Sequence, residues 1–211
     1  MKRFLAELMG TFFLTLAINI PGDPLTIGLM FMAMIYLTSP VSGAHLNPIV
    51  TFALWLRGRF SAANIPWYWL AQILGACLVS GFTYLVSGKI LPAKLLTAPM
   101  SAWVLFAFEF LFSFVLVSIV LMMVTTRRYV ENPLGALVIG LTLTALAAYA
   151  GAYNPAVSLA WMIPNAVHYA VSGGTAGAIP GVWELLVFIL APFLGALVAA
   201  LKFNWVHGDR L

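Results

Sequence analysis

The chain has 211 residues, of which 63% are hydrophobic and 8% are charged. A water-soluble domain usually carries about 25% charged residues. Ten basic and six acidic side chains cannot cover a soluble surface of this size. The composition therefore excludes a soluble globular protein and predicts a protein of the lipid bilayer. At about 20 residues per membrane span, six helices use up the chain and leave no separate catalytic domain.

The formal net charge is +4, but the basic residues are scattered rather than clustered, so the sequence predicts no nucleic-acid partner. The single cysteine, Cys77, excludes a disulfide bond within the chain. Because the chain has only three histidines besides this cysteine, we expect no metal site, no cofactor and no catalytic residues.

Six long apolar runs follow one another and are separated by short polar or turn-forming segments. A bilayer excludes unpaired backbone groups, so runs of this length predict membrane-crossing helices. The predicted spans are residues 4–20, 25–41, 65–86, 102–124, 133–149 and 182–203. Lys2 and Arg3 ahead of an apolar run are also typical of a signal peptide, but Glu7 interrupts the run, so we expect it to remain as the first span.

The basic residues indicate an orientation. With a cytoplasmic N-terminus, eight of the ten fall on the cytoplasmic side, and Lys89 and Lys94 fall outside. This distribution fits the positive-inside rule. We therefore expect a multi-pass protein of the plasma or inner membrane with both termini in the cytoplasm.

The two halves of the chain, about 1–88 and 101–211, share a series of features in the same order. An acidic residue lies in the first span of each half, an Asn-Pro pair follows the second span, and a Gly-Ala pair lies in the third. The matching features are Glu7 and Glu109, Asn47-Pro48-Ile49 and Asn154-Pro155-Ala156, Gln72 with Gly75-Ala76, and Pro192 with Gly195-Ala196. Because each half has three spans, the second half enters the bilayer from the opposite side, which is an inverted repeat.

A short apolar stretch follows each Asn-Pro pair, at 49–56 and 156–163. Each is too short to cross a bilayer. Asparagine is a preferred N-cap and proline is favoured at the first helical position, so both stretches predict half-helices that begin near the membrane centre. Non-helical backbone at that depth is tolerated where it lines a water-filled path, so two such segments indicate a pore.

These motifs resemble those of the aquaporin (major intrinsic protein) family across essentially the whole chain. The matching residues are Ala6-Glu7, SGAHLNP at 42–48, Ala71-Gln72, Glu109, Asn154-Pro155-Ala156, and Pro192 with Gly195-Ala196. The resemblance implies an all-α fold of six transmembrane helices and two re-entrant half-helices in a single domain, 1–211. It also implies a passive channel that assembles as a homotetramer with one pore per subunit.

The resemblance assigns roles to individual residues. Asn47, Pro48 and Ile49 would form the central constriction together with Asn154, Pro155 and Ala156. The stretches before each asparagine would stay extended and expose a ladder of carbonyl groups. That ladder would comprise Gly43, Ala44, His45, Gly151, Ala152 and Tyr153, and Glu7, Glu109 and Gln72 would hold the two loops in shape.

The chain departs from the family at the outer filter, where many members have an arginine and this chain has Val157. The other filter positions would be Ile27, either Thr142 or Leu143, and either Gly151 or Ala152. Such a filter is expected to be wider and more apolar than that of a strict water channel, with no fixed positive charge. At Ile49 the chain departs from the usual alanine, and isoleucine there would either narrow the centre or pack against the other half-helix.

We therefore predict a passive channel for water and small uncharged solutes. The alternative is a channel mainly for neutral metalloids or polyols, such as arsenite, methylated arsenicals and glycerol, with low selectivity for water. A membrane enzyme is disfavoured because His45 has no evident catalytic partner in the sequence, and a closed scaffold with this fold is the third hypothesis. Residues 164–181 are expected to form a mobile outer loop that either connects passively or covers the mouth.

Overall fold

The structure is a computed structural model that describes residues 1–20, 22–87, 100–149, 151–175 and 181–208. Within these ranges the regular elements are all helical, which confirms the predicted all-α membrane fold. The helices are α1 (Lys2–Asn19), α2 (Pro24–Ser42), α3 (Pro48–Leu56), α4 (Ile65–Ser87), α5 (Ala102–Thr125), α6 (Gly135–Ala147), α7 (Pro155–Val171) and α8 (Val182–His207). A 3₁₀ turn, Ala62–Asn64, precedes α4, and a π-helical turn, Leu186–Leu190, lies within α8.

Each of the six predicted spans coincides with a helix. Four of these helices, α2, α4, α5 and α8, are long and apolar enough to cross a membrane by length and composition. The other two are α1, with 18 residues, and the apolar α6, with 13. The chain therefore supplies the bundle of apolar helices that its composition requires.

The half-helix α3 begins where the sequence predicts. Asn47 is its N-cap, with the side-chain oxygen accepting a hydrogen bond from the Ile49 amide at 3.1 Å, and Pro48 occupies the first helical position. The helix has nine residues, or about 14 Å at 1.5 Å per residue, which is half of a bilayer core. α3 is therefore too short to cross a bilayer, so one of its ends lies within the membrane and the chain leaves on the side from which it entered.

The second half-helix, α7, is longer than predicted. It begins at the same kind of cap, Asn154, but continues through Pro164 to Val171, so the prediction of a loop over 164–171 was wrong. A proline leaves the carbonyl four residues earlier without its helical donor. Here the hydroxyl of Ser80 on α4 donates to that carbonyl, of Ala160, at 2.7 Å. A side chain from a neighbouring helix thus replaces the missing bond, and the helix continues. Residues 176–180 of the predicted loop lie outside the described residues.

Glycines allow close crossings at equivalent places in the two halves. A Cβ on Gly75 of α4 would lie 2.2 Å from the carbonyl oxygen of Leu8 on α1, and a Cβ on Gly195 of α8 would lie 2.3 Å from that of Phe110 on α5. Leu8 follows Glu7, and Phe110 follows Glu109. The repeat seen in the sequence is therefore also a repeat of packing, with each acidic residue beside the tightest crossing of its half.

Candidate functional site

Two asparagines begin the half-helices, and each donates a hydrogen bond to the loop that precedes the other half-helix. The Asn47 amide donates to the carbonyl of Tyr153 at 2.8 Å, and the Asn154 amide donates to the carbonyl of Leu46 at 3.0 Å. Each side-chain oxygen caps its own helix. An amide group carries two N–H donors, and these bonds between the loops use one of the two on each asparagine. The positive dipole ends of α3 and α7 meet here, which disfavours cations.

Glu7 shapes the loop that precedes α3. One carboxylate oxygen accepts hydrogen bonds from the His45 amide (2.9 Å) and the Ser42 hydroxyl (2.6 Å). The other accepts from the Leu46 amide (2.7 Å) and the side chain of Gln72 (2.8 Å). The position of Gln72 against Glu7 agrees with the supporting role that the resemblance implies for both.

The loop before α3 is not uniformly extended, so that detail of the prediction was wrong. Ala44 and Leu46 have φ values of 52° and 51°, and Gly43 has a φ of 87°. Left-handed backbone costs about 1–2 kcal/mol at a residue with a side chain. The carboxylate of Glu7 offsets this cost by accepting the amides on this stretch.

Glu109 performs the same task for the loop before α7, with fewer partners among the residues that the structure describes. Its carboxylate accepts hydrogen bonds from the amides of Ala152 and, at 2.9 Å, Tyr153. Pro192 stands where the first half has Gln72 and has no side-chain donor. The Tyr153 residue is also left-handed, with φ 49°, and its hydroxyl donates to the Leu146 carbonyl at 3.3 Å.

A cavity of about 20 Å³ lies on one side of the asparagine pair. We call it the outer cavity. Its lining is mainly apolar and comprises Leu14, Ile18, Ile27, Phe31, Asn47, Leu116, Leu143, Ala147, Gly151, Ala152, Tyr153 and Asn154. One water needs about 10–15 Å³, so the cavity has room for about one water. The greater width expected of the filter stays a prediction.

Packing around Tyr153 narrows this end of the site. A Cβ on Gly151 would lie 2.4 Å from the tyrosine ring, so the ring lies directly against the loop backbone. The same ring makes an edge contact with Phe112 of α5, with centroids 5.4 Å apart. Small residues at 151 and 152 therefore leave no extra space, because an aromatic ring occupies it.

The predicted filter residues separate into two groups. Ile27, Leu143, Gly151 and Ala152 line the outer cavity. Of the two alternatives on α6, Thr142 is not among the lining residues, and its hydroxyl donates to the Val138 carbonyl of its own helix at 2.8 Å.

Val157 lies in the first turn of α7, is 3% exposed and belongs to the buried hydrophobic core. It is not among the residues that line the outer cavity.

The remaining residues of the two Asn-Pro motifs are buried behind the asparagines. Ile49 has no exposed surface and belongs to the main core, and Ala156 packs with Ala76 and Ala160. Of the two roles left open for Ile49, packing is the one that its position supports. Pro48 and Pro155 each occupy the first helical position.

A second cavity, of about 320 Å³, lies on the opposite side of the pair. We call it the inner cavity. Gly43, Ala44 and His45 line it, together with residues of α2, α3, α5 and α6 and of the α5–α6 connection. The hydroxyl of Tyr36 donates to the Pro133 carbonyl at its edge, at 2.5 Å. The asparagines line the outer cavity, and the loop that leads to Asn47 lines the inner one.

Several lining residues were missed in the sequence: Leu14, Ile18, Phe31 and Leu116. A signal existed for Phe31, because it follows Ile27 by four residues and thus lies on the same helical face. No local signal identifies Leu116, whose place depends on how α5 packs.

The buried residues of the types that bind metals, His45, Glu7 and Glu109, make hydrogen bonds in or next to the two loops. Within the described ranges no three His, Cys, Asp or Glu side chains come together. The His45 ring lies 3.0 Å from the Thr51 hydroxyl by its Nδ1 atom and packs against the rings of Phe60 and Tyr68. The His45 side chain is therefore held by one hydrogen-bonding contact and two aromatic contacts within the protein.

Comparison with known proteins agrees with this geometry. The sequence profile of the Major intrinsic protein family matches residues 15–203. The chain is 34% identical to Glycerol uptake facilitator protein-like 6 of Lactiplantibacillus plantarum, over 95% of each chain. It is 32% identical to Aquaporin NIP1-1 of Zea mays, over 98% of this chain and 75% of the relative.

The fold also matches a solved structure, the aquaglyceroporin from Plasmodium falciparum. The TM-score is 0.77 at 23% identity, with 97% of this chain and 96% of that chain covered. The family resemblance predicted from the motifs is therefore confirmed, and the chain belongs to the major intrinsic protein family of membrane channels.

Proposed function

We propose that the protein is a passive channel for water and small uncharged solutes, which pass from the outer cavity, across Asn47 and Asn154, into the inner cavity. The observation that carries this proposal is the interlocked asparagine pair at the end of a narrow apolar cavity. The second N–H of each amide offers a hydrogen bond at the point where the solute has lost most of its hydration. An enzyme would need a nucleophile beside a base, whereas the two asparagine side chains make hydrogen bonds that hold the loops in place.

The selectivity against ions follows from the same lining. The outer cavity is lined by no charged side chain among the described residues, so an ion entering it gives up water without a counter-charge. Because Val157 stands where many relatives have arginine, exclusion of cations depends on the asparagine amides and the positive ends of α3 and α7. Neutral solutes meet neither barrier.

A second candidate is a channel mainly for glycerol or neutral metalloid hydroxides such as arsenite and methylated arsenicals. The apolar lining favours it, since Ile27 and Leu143 carry no charge that would select water alone. Two relatives are named for glycerol. The small volume of the outer cavity favours water and makes this candidate the second.

The assembly and orientation form part of the proposal. The family resemblance supports a homotetramer in a cell membrane. The end of α3 lies beside the end of α8, since Arg57 donates to the side chain of Asn204 at 3.1 Å and to the Gly208 carbonyl. This contact brings basic residues near both ends to one face, which supports cytoplasmic termini under the positive-inside rule.

Uptake by liposomes containing the purified protein tests the proposal. Water, glycerol, urea and arsenite are compared side by side, each against empty liposomes of the same lipid. The proposal predicts water flux well above that of empty liposomes, and glycerol or arsenite flux exceeding water flux would favour the second candidate. Rates equal to those of empty liposomes for every solute would contradict both and would favour a closed scaffold.

A further inference from the structure

One residue, Phe31, lies where the two cavities meet. Among the described residues it is the one that lines both the outer and the inner cavity. It is 2% exposed, so its ring is enclosed by protein on the sides that do not face the cavities. Phe31 therefore forms part of the wall at the transition from about 20 Å³ to about 320 Å³ of space.

On α5 and α6, by contrast, different residues line the two cavities. Helix α5 contributes Leu116 to the outer cavity and Val120 to the inner one, and α6 contributes Leu143 and Ile139. Each of these pairs is separated by four residues, or one helical turn. The wall made by α5 and α6 is thus continuous from one cavity to the other, whereas on α2 the side chain of Phe31 projects between them.

The position of Phe31 on α2 explains its orientation. Ile27 lies one turn before it and lines the outer cavity, and Ile35 lies one turn after it and lines the inner cavity. Residues four apart lie on one face of a helix, so these three form the stripe of α2 that faces the path. The middle member carries the largest side chain and shares the lining of the outer cavity with Asn47.

We propose that Phe31 is a size-determining residue of the permeation path, at the step between the two cavities, a role that rests on the proposed channel function. A solute at this point has the Asn47 and Asn154 amides as hydrogen-bond donors on one side and an apolar ring on another. Water can bond to the amides and pass the ring. A solute with a carbon skeleton can pass only if the Phe31 ring moves aside. Moving a buried ring in a close-packed core costs free energy.

The test compares the permeability of Phe31 variants with that of the wild type. Phe31→Ala should join the two cavities and raise glycerol and urea permeability about tenfold, equivalent to a barrier lower by about 1.4 kcal/mol. Water permeability should change much less, so the glycerol-to-water ratio rises. Phe13→Ala is the matched control, because Phe13 lies on α1, is 37% exposed and lines neither cavity.

A second variant guards against loss of folding. Phe31→Leu keeps an apolar side chain and should give a smaller rise in the same ratio if the alanine variant does not fold. A wild type that conducts, together with folded Phe31 variants of unchanged glycerol-to-water ratio, would overturn the role of Phe31 alone. A wild type that conducts no solute would instead overturn the channel proposal, so the two failures are distinguishable.

Discussion

At the scale of single residues, the two acidic side chains within the helices have unequal tasks. Glu7 accepts four hydrogen bonds, two from the loop backbone and two from Ser42 and Gln72. Among the described residues, Glu109 accepts two, both from the loop backbone. The motifs predicted that both carboxylates support loops. They did not predict the inequality, although Pro192, which has no side-chain donor, stands where the first half has Gln72, and Ser42 has no counterpart in the repeat.

This inequality predicts different costs of the same substitution. In Glu7→Gln and Glu109→Gln an N–H group replaces an acceptor, and each buried backbone amide left without a partner costs about 1–3 kcal/mol. We expect both variants to unfold at lower temperature in detergent, with the larger shift for Glu7→Gln. Glu131→Gln, at an exposed acidic residue, is the control. Equal shifts for the three variants would contradict the supporting role.

Val157 is the residue that stands where the family resemblance places an arginine. Because the Val157 side chain is buried, an arginine there has to reach the cavity or the membrane interface to remain solvated. We expect Val157→Arg to lower glycerol or arsenite uptake relative to water by about tenfold, or about 1.4 kcal/mol. The measurement is paired uptake in liposomes.

Val157→Leu serves as the uncharged control and should leave the uptake ratio near that of the wild type. Elution of each variant at the position of the wild type in detergent shows that it has folded. An arginine variant that folds and keeps the wild-type ratio would remove position 157 from the filter.

At the scale of elements, glycines determine how closely the helices approach. A Cβ on Gly75 would meet the backbone of α1, whereas a Cβ on Gly81, six residues later on α4, would meet nothing within 4 Å. Gly75→Ala should therefore separate α4 from α1 and destabilise the protein by about 1–3 kcal/mol. Gly81→Ala should be neutral or stabilising by about 0.5–1 kcal/mol, because alanine favours a helix.

Thermal unfolding of both variants in the same detergent checks this pair. The expected order of stability is Gly81→Ala at or above the wild type and Gly75→Ala well below it. A Gly75→Ala protein as stable as the wild type would show that α1 and α4 are not in close contact.

Helix ends show how far sequence rules reach. Asparagine followed by proline correctly predicts the starts of α3 and α7, because a cap and a first-turn proline are local requirements. Pro164 was taken as the end of α7, because the sequence does not show that Ser80, some eighty residues earlier, donates to the freed carbonyl. The same limit explains the α6 register, where Leu143 rather than Thr142 lines the cavity.

At the scale of the whole molecule, composition and the internal repeat together predicted the fold class and the meeting of two half-helices. The width of the path could not be predicted in this way. The set of filter residues, with Val157 in place of the usual arginine, suggested a wide filter, but the sequence does not show that the Tyr153 ring packs against Gly151. The position of Phe31 between the two cavities also depends on how α2, α5 and α6 pack, and no single sequence motif determines that packing.

The central claim, passive passage of uncharged solutes, is tested most directly by stopped-flow light scattering of liposomes containing the protein. The liposomes are exposed to an osmotic gradient of an impermeant sugar and then of glycerol, with and without an imposed proton gradient. We predict water flux well above that of empty liposomes, and solute flux that follows its own gradient and ignores the proton gradient. Flux equal to that of empty liposomes, or flux that requires the proton gradient, would contradict the account.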